Sequence, residues 1–186
     1  MAKREVPLTG CLRLLEAGPV TLLTSQFRGQ PDVMTAAWVA PVSHRPPLVA
    51  AAVSPLHHTH YLIGKSQEFV INVPARPLAD RVMLCGTLSG RDVDKFARAG
   101  LTAVNGRRVT VPWVDECLAH LECGVVEAYE TGDHTLFIGE VIGAWAEEEA
   151  FDEFWKLETE ELSPLHHLGG RHFARLADRF AVGEET

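Results

Sequence analysis

The 186 residues carry 25 acidic against 17 basic side chains, a formal charge of −8, with 46% hydrophobic and 23% charged residues. That balance excludes a disordered or fibrous chain, and the negative field opposes phosphate backbones and anionic lipid surfaces, so neither nucleic acid nor membrane is expected as a partner. The opening Met1-Ala2-Lys3-Arg4-Glu5 lacks the apolar stretch of a signal peptide, no apolar run approaches transmembrane length, and Cys11, Cys85, Cys117 and Cys123 are too unevenly spaced for a disulfide framework. A cytoplasmic protein with reduced thiols is expected, folded as one domain over residues 1–186 with its core at about 19–170.

Residues 20–27 are rich in β-branched side chains and run into Arg28-Gly29-Gln30-Pro31, a turn signal, so a hairpin is predicted with residues 32–42 as its second arm. After the break at His44-Arg45-Pro46-Pro47, residues 48–53 are almost wholly apolar and predict a strand buried on both faces. Ser54 is placed to cap a short helix over residues 55–65, and residues 69–73 predict a strand stopped by Pro74. Residues 77–86 predict a helix ending at Gly86, and residues 89–100 a second short helix capped from Ser89. The strongest hairpin signal joins residues 118–129 to 134–145 through Glu130-Thr131-Gly132-Asp133. Beyond residue 146 mixed helical or irregular chain is expected. Some six strands with short helices between them predict a mainly β protein, a barrel with helical insertions, and no Gly-x-Gly-x-x-Gly follows a strand.

Several segments have the residue types for chemistry. Met34-Thr35-Ala36-Ala37-Trp38 sets three small side chains before an indole, which would let a flat ligand reach the backbone amides; the competing reading is a packed strand with Trp38 in the core. Ser54, Thr59, Ser89 and Lys95 offer hydroxyls and a cation near helix starts, as a phosphate site requires, or are simple caps and a solvated charge. Cys117, His120 and Cys123 look like zinc ligands, but on a strand His120 faces away from the two cysteines, which predicts buried thiols beside a hydrogen-bonded histidine and no metal. His134, where the hairpin loop enters its second strand, is placed to donate a hydrogen bond or shuttle a proton. His57-His58-Thr59-His60 diverge on a helix and do not converge on a metal. No Ser-His-Asp or Cys-His arrangement supports hydrolysis.

In order, Asp32-Val-Met-Thr-Ala-Ala-Trp-Val-Ala-Pro-Val42, Ser54-Pro55 through Thr59-His60, Cys85-Gly-Thr-Leu-Ser-Gly-Arg-Asp-Val-Asp-Lys-Phe96 and Thr131-Gly-Asp-His-Thr-Leu-Phe137 resemble the flavoredoxin branch of the flavin reductase-like family. The resemblance implies an FMN-binding split β-barrel that forms a homodimer and exchanges electrons with NADH, NADPH, another flavin or a redox protein. By matching position Trp38 would line the flavin, Thr59 and Lys95 with Ser54 and Ser89 would hold its phosphate side, and His134 would stand near the ring as the catalytic group. Asp32, Thr35, Ala36, Ala37, Cys85, Gly86 and His167 complete the implied cofactor-binding set. Four positions depart from the family: Asp32 where Asn is frequent, His167 where an aromatic residue is usual, and the pair His57-His58 where Arg-Tyr is common. Asp32 either keeps the family position near the ring or ends the turn and faces water. Three functions stay open: an NAD(P)H-dependent FMN reductase, a non-enzymatic FMN electron carrier, and a barrel that has lost flavin and binds another ligand or partner.

Overall fold

The computed structural model describes residues 18–183. Cys11 and the amino-terminal segment read above lie outside them. Strand β1 (Thr21–Phe27) turns through Arg28-Gly29 into β2 (Gln30–Ala36). Both loop residues have positive φ, 54° and 74°, the backbone whose twist matches that of the flanking strands. The second arm does not continue to residue 42: it breaks at Ala37-Trp38 and resumes as β3 (Val39–His44), followed by β4 (Pro47–Val53), whose Val49, Ala50, Ala51 and Val53 are buried.

Helix α1 (His58–Ser66) starts later than Ser54 predicts. The Ser54 carbonyl accepts from His57 N at 3.0 Å, so Ser54 shapes the turn into the helix and does not cap it. Strand β5 (Glu68–Val73) follows, then a 3₁₀ turn (Arg76–Leu78) leading into α2 (Ala79–Thr87), which runs one residue past Gly86. Helix α3 (Lys95–Ala99) is capped by Asp94, whose Oδ1 accepts from Ala97 N at 3.1 Å; Ser89 instead closes the preceding turn, accepting from Arg91 N at 3.2 Å. A short pair, β6 (Ala103–Val104) with β7 (Trp113–Val114), precedes the long hairpin of β8 (Ala119–Thr131) and β9 (His134–Ala146). Where irregular or helical chain was expected, β10 (Leu165–Gly169) and β11 (His172–Arg175) form a further hairpin, turning where Gly169 and Gly170 adopt positive φ.

Seven strands form one antiparallel sheet in the order β2-β1-β5-β8-β9-β4-β3. Laid flat, seven strands at about 4.8 Å spacing would put the two edges about 29 Å apart. Yet the edge strands β2 and β3 are consecutive in the chain, and the step from Ala36 to Val39 spans at most about 11 Å. The sheet must therefore curl until its edges face each other across Ala37-Trp38, which makes it a barrel with a seam. The break that the sequence conceals is the place where the chain crosses that seam.

Packing follows the strand period of two. On β1, Leu22 faces a core shared with Val33, Val82, Cys85 and Phe96 beneath the helices α2 and α3, while its neighbour Leu23 faces the barrel interior with Met34, Ile63, Phe69 and Phe137. Both faces of β1 are thus buried, which is why its sequence shows no alternation. Phe69 is fully buried, contributing about 2–3 kcal/mol of hydrophobic stabilisation, and it lies over Gly139, where a Cβ would stand 2.5 Å from its ring. Among the described residues no helix is long and apolar enough to cross a membrane.

On the outer side, the loop before β7 is held by side chains of the sheet. Glu122, fully buried, accepts from Arg107 N at 2.6 Å, Arg108 N at 2.7 Å and Trp113 Nε1 at 2.7 Å. His120 stacks on Trp113 with ring centroids 4.4 Å apart. Asn72 Oδ1 accepts from Val114 N, so His120 Nδ1, 2.9 Å from the same oxygen, must carry the proton and donate. The predicted hydrogen-bonded histidine is therefore present, and burial holds Cys117 and Cys123 as protonated thiols, Cys123 pushed up to about 12.

Burial, opposed by Glu122 and helped by Arg107, pushes the His120 imidazole from 6.5 down to about 4. The unfolded chain then binds a proton that the folded one refuses. Stability from this group is complete above the unfolded value and falls as pH drops toward about 4, by up to roughly 3 kcal/mol. Urea titrations at about pH 7 and about pH 4.5 should show the loss in the native protein and a much smaller one in His120→Phe, which keeps the ring stack. Equal losses in both would assign the acid sensitivity elsewhere.

Candidate cofactor-binding cleft

The seam is where the sequence-predicted residues meet. One lobe, of about 160 Å³, is lined by Thr35, Ala36, Ala37, Trp38, Ser54 and His134. A second, of about 240 Å³, is lined by Thr35, Ala37, Gly86 and His167 together with Met83 and Phe173. His57 lines both, as do Thr35 and Ala37, so the two lobes form one cleft. Small side chains keep it open. Gly86 lets α2 settle on β2: a Cβ there would lie 3.3 Å from Thr35 Cβ, and Thr35 Oγ1 donates to the Val82 carbonyl of that helix.

Trp38 is 43% exposed, so the reading that buries it in the core is overturned. Its ring packs 4.9 Å from that of His134, whose Nδ1 is 2.7 Å from Asp133 Oδ1. A carboxylate only accepts, so Nδ1 carries the proton and Nε2 is the nitrogen left for exchange with a ligand. The hydrogen bond and charge of His134 hold the Asp133 carboxyl below its ordinary value. Burial first, then the charges of Lys95 and His134, push His57 below the usual imidazole range, with Asp32 opposing. His57 is therefore neutral at neutral pH. His167 Nε2 donates to the Gly170 carbonyl at 3.2 Å, which leaves its Nδ1 as a buried acceptor without a partner.

Behind the cleft lies a polar cluster drawn from three elements. Asp32 of β2 is 2% exposed, so the reading in which it ends the turn and faces water is overturned. Its Oδ2 accepts from Thr59 Oγ1 of α1 at 2.7 Å, and its Oδ1 stands 3.1 Å from Lys95 Nζ of α3. Lys95 is itself buried, not a solvated charge. The ion pair is off the hydrogen-bond direction, so Oδ1 has charge compensation but no aligned donor. The turn before α3 closes directly on this carboxylate: a Cβ on Gly90 would stand 2.4 Å from Oδ1.

Besides Asp32, Thr59 and Lys95, two more predicted residues lie outside the cleft lining. Cys85 is 1% exposed and faces the core under α2, and burial pushes its thiol up to about 11, with Lys95 opposing and Asp32 adding. Ser89 is occupied in its own turn. Sequence reasoning did not assign His57, Met83 and Phe173 to the site; His57 lies within the quoted Ser54-to-His60 motif, where it reads only as a departure from the family pattern, whereas Phe173 depends on the hairpin of β10 and β11. Two larger, apolar hollows of about 500 and 450 Å³ lie elsewhere; they share Val73, Leu121 and Trp155, and the second reaches Val39, Ala40 and Pro41 of the seam strand β3.

Residues 13–176 match the family model described as flavin reductase like domain. An uncharacterised protein of Archaeoglobus fulgidus is 47% identical over 113 residues, which cover 61% of this chain and 64% of that protein. In structure the chain is similar to the FMN-binding protein from Thermus thermophilus solved with bound 1-cyclohex-2-enone, with a TM-score of 0.85 and 27% identity over 98% of this chain and 99% of the other. It is also similar to the flavoredoxin of Desulfovibrio vulgaris (Miyazaki F), with a TM-score of 0.81 and 27% identity over 89% and 90% of the two chains.

Proposed function

Because the chain belongs to the flavin reductase-like family, whose FMN-binding barrel it shares, we propose that it binds FMN along the seam between β2 and β3 and acts as an oxidoreductase, exchanging electrons with NADH, NADPH or a redox partner. The observation that carries this reading is the cleft itself, in which Thr35, Ala36 and Ala37 leave the backbone open to a flat ring between Trp38 and His134 on one side and Gly86 and His167 on the other. Such a set fits a flavin ring in shape and in hydrogen-bonding groups: edge-strand backbone, the His134 ring and, as an acceptor, the unpartnered Nδ1 of His167. Bound there, FMN would supply the acceptor and donor of hydride and electrons.

The chain's own part is binding, orientation and proton supply. Ala36 and Ala37 permit close approach, and Trp38 offers an apolar face. His134, its Nδ1 fixed by Asp133, can accept a proton at Nε2 or give one up from it. The apolar hollow of about 450 Å³ that reaches β3 at the seam supports completion of the cleft by a second copy of the chain, in a homodimer. The thiols of Cys85, Cys117 and Cys123, free in the fold, support a reducing, cytoplasmic setting.

Reconstitution with FMN is expected to give a yellow protein holding about one flavin per protomer, and anaerobic NADH or NADPH to bleach it. Failure to bind flavin saturably would end this reading. Bound flavin that no nicotinamide reduces would make the protein an electron carrier fed by another protein.

A further inference from the structure

We infer that Asp32 is a specificity-determining residue that serves as a built-in counter-anion: it occupies the Lys95 ammonium and the Thr59 hydroxyl, so that the site binds flavin without selecting for the 5′-phosphate. The inference rests on the flavin reading above and concerns only which flavin the site prefers.

The argument begins with what a phosphate needs, which is a cation and hydrogen-bond donors. Lys95 and Thr59 supply both beside the cleft, since Thr59 lies in the first turn of α1, two residues beyond His57, which lines both lobes. In this chain the Lys95 charge and the Thr59 hydroxyl proton are already taken by Asp32. Lys95 Nζ stands 3.1 Å from Asp32 Oδ1, with 4% and 2% of the two side chains exposed, and the Thr59 hydroxyl gives its only proton to Asp32 Oδ2 at 2.7 Å. A buried pair of opposite unit charges presents no net charge to a ligand, and an incoming dianion would stand near a carboxylate held by the same donors. The contact of Gly90 with that carboxylate keeps Asp32 from swinging away.

Asparagine at position 32 would reverse this arrangement. Its Oδ1 could face Lys95 while its amide donates to Thr59 Oγ1, which a hydroxyl accepts. The threonine proton would then be free to donate outward, and the lysine charge would no longer be cancelled. A regained charge-assisted hydrogen bond corresponds to about a tenfold or larger gain for the phosphorylated ligand alone. Riboflavin, which has the same ring and no phosphate, is the control.

The test is titration of the apo-protein with FMN and with riboflavin, following quenching of flavin fluorescence, in the native protein, in Asp32→Asn and in the Asp32→Asn/Lys95→Met double variant. The native protein is expected to hold the two flavins with affinities within about threefold, Asp32→Asn to favour FMN by at least about tenfold more, and the double variant to return to the native ratio. FMN binding to the native protein should also depend little on salt, since no net charge is offered, whereas in Asp32→Asn it should weaken as salt rises. The native measurements require no variant to fold. Saturable binding of both flavins with the same ratio in native protein and Asp32→Asn overturns the inference and leaves the flavin reading intact, as does a native protein that already prefers FMN strongly and salt-dependently. Absence of saturable binding of either flavin to the native protein overturns both.

Discussion

Lys95→Met is expected to cost about 3–5 kcal/mol of folding stability, the loss that follows when one member of a buried ion pair is removed and the other is left uncompensated. The pair qualifies because both side chains are nearly inaccessible and meet at 3.1 Å, so solvent cannot replace the missing ammonium. The carboxylate would keep the Thr59 hydroxyl but lose the cation in contact with it. Asp32→Asn/Lys95→Met removes both charges and preserves a hydrogen-bonding partner for Thr59, so it should recover most of that loss. Urea midpoints of the three proteins measure it. A single variant less than about 1 kcal/mol below the native protein would mean that water reaches the pair and that it behaves as a surface salt bridge.

Glu122→Gln is the second large effect, expected to destabilise by about 2–4 kcal/mol and to release the loop before β7. One carboxylate oxygen accepts from Arg107 N and Trp113 Nε1, the other from Arg108 N, and an amide has only one oxygen to offer. Its NH₂ group would face a backbone N–H, donor against donor, in a fully buried place. The loop has further anchors in Glu68, which accepts from Thr110, and in Thr24, which donates to the Pro112 carbonyl, so it should loosen without unfolding the barrel. Hydrogen exchange at Arg107 and Arg108 should accelerate and Trp113 emission should shift to the red. Unchanged exchange at those two amides would show that the other anchors suffice. Gly106 belongs to the same device, since a Cβ there would stand 2.5 Å from the Val111 carbonyl and 3.0 Å from Glu122 Oε1.

The parts of this molecule that could be read from the chain are those decided by neighbours in sequence. The hairpin of β8 and β9 was legible because long β-rich arms flank Gly132-Asp133, and Gly132 does take the positive φ its turn needs. The break at Ala37-Trp38 was not, because nothing local stops a strand there; closure of the sheet does, through pairings made elsewhere. Ser54 and Ser89 both look like caps, but each closes a turn ahead of its helix, and Asp94 takes the capping role in α3. Asp32 and Lys95 illustrate the limit most clearly. The sequence marks Asp32 as a departure from the family pattern and Lys95 as a cation near the hydroxyls of helix starts, but their pairing is a fact of the tertiary structure. The second hairpin, β10 with β11, was missed although Gly169-Gly170 signals a turn, because its arms are short and hold few strand-forming residues.

The strand order also governs how fast such a chain can assemble. The β1–β2, β3–β4 and β8–β9 hairpins pair strands that are neighbours in sequence, so each can form without a long search. The join of β4 to β9 is different: it aligns Leu48 with Glu140 and Val53 with Thr135, partners some eighty to ninety residues apart. Closing so large a loop sacrifices chain entropy before any contact repays it, and barrels dominated by such pairings fold in milliseconds to seconds rather than microseconds. Until that join forms, the edges of β4 and β9 are both unpaired, and a crowded nascent chain is open there to pairing with a neighbour. The same step that completes the barrel thus ends the interval in which the chain is most prone to aggregate.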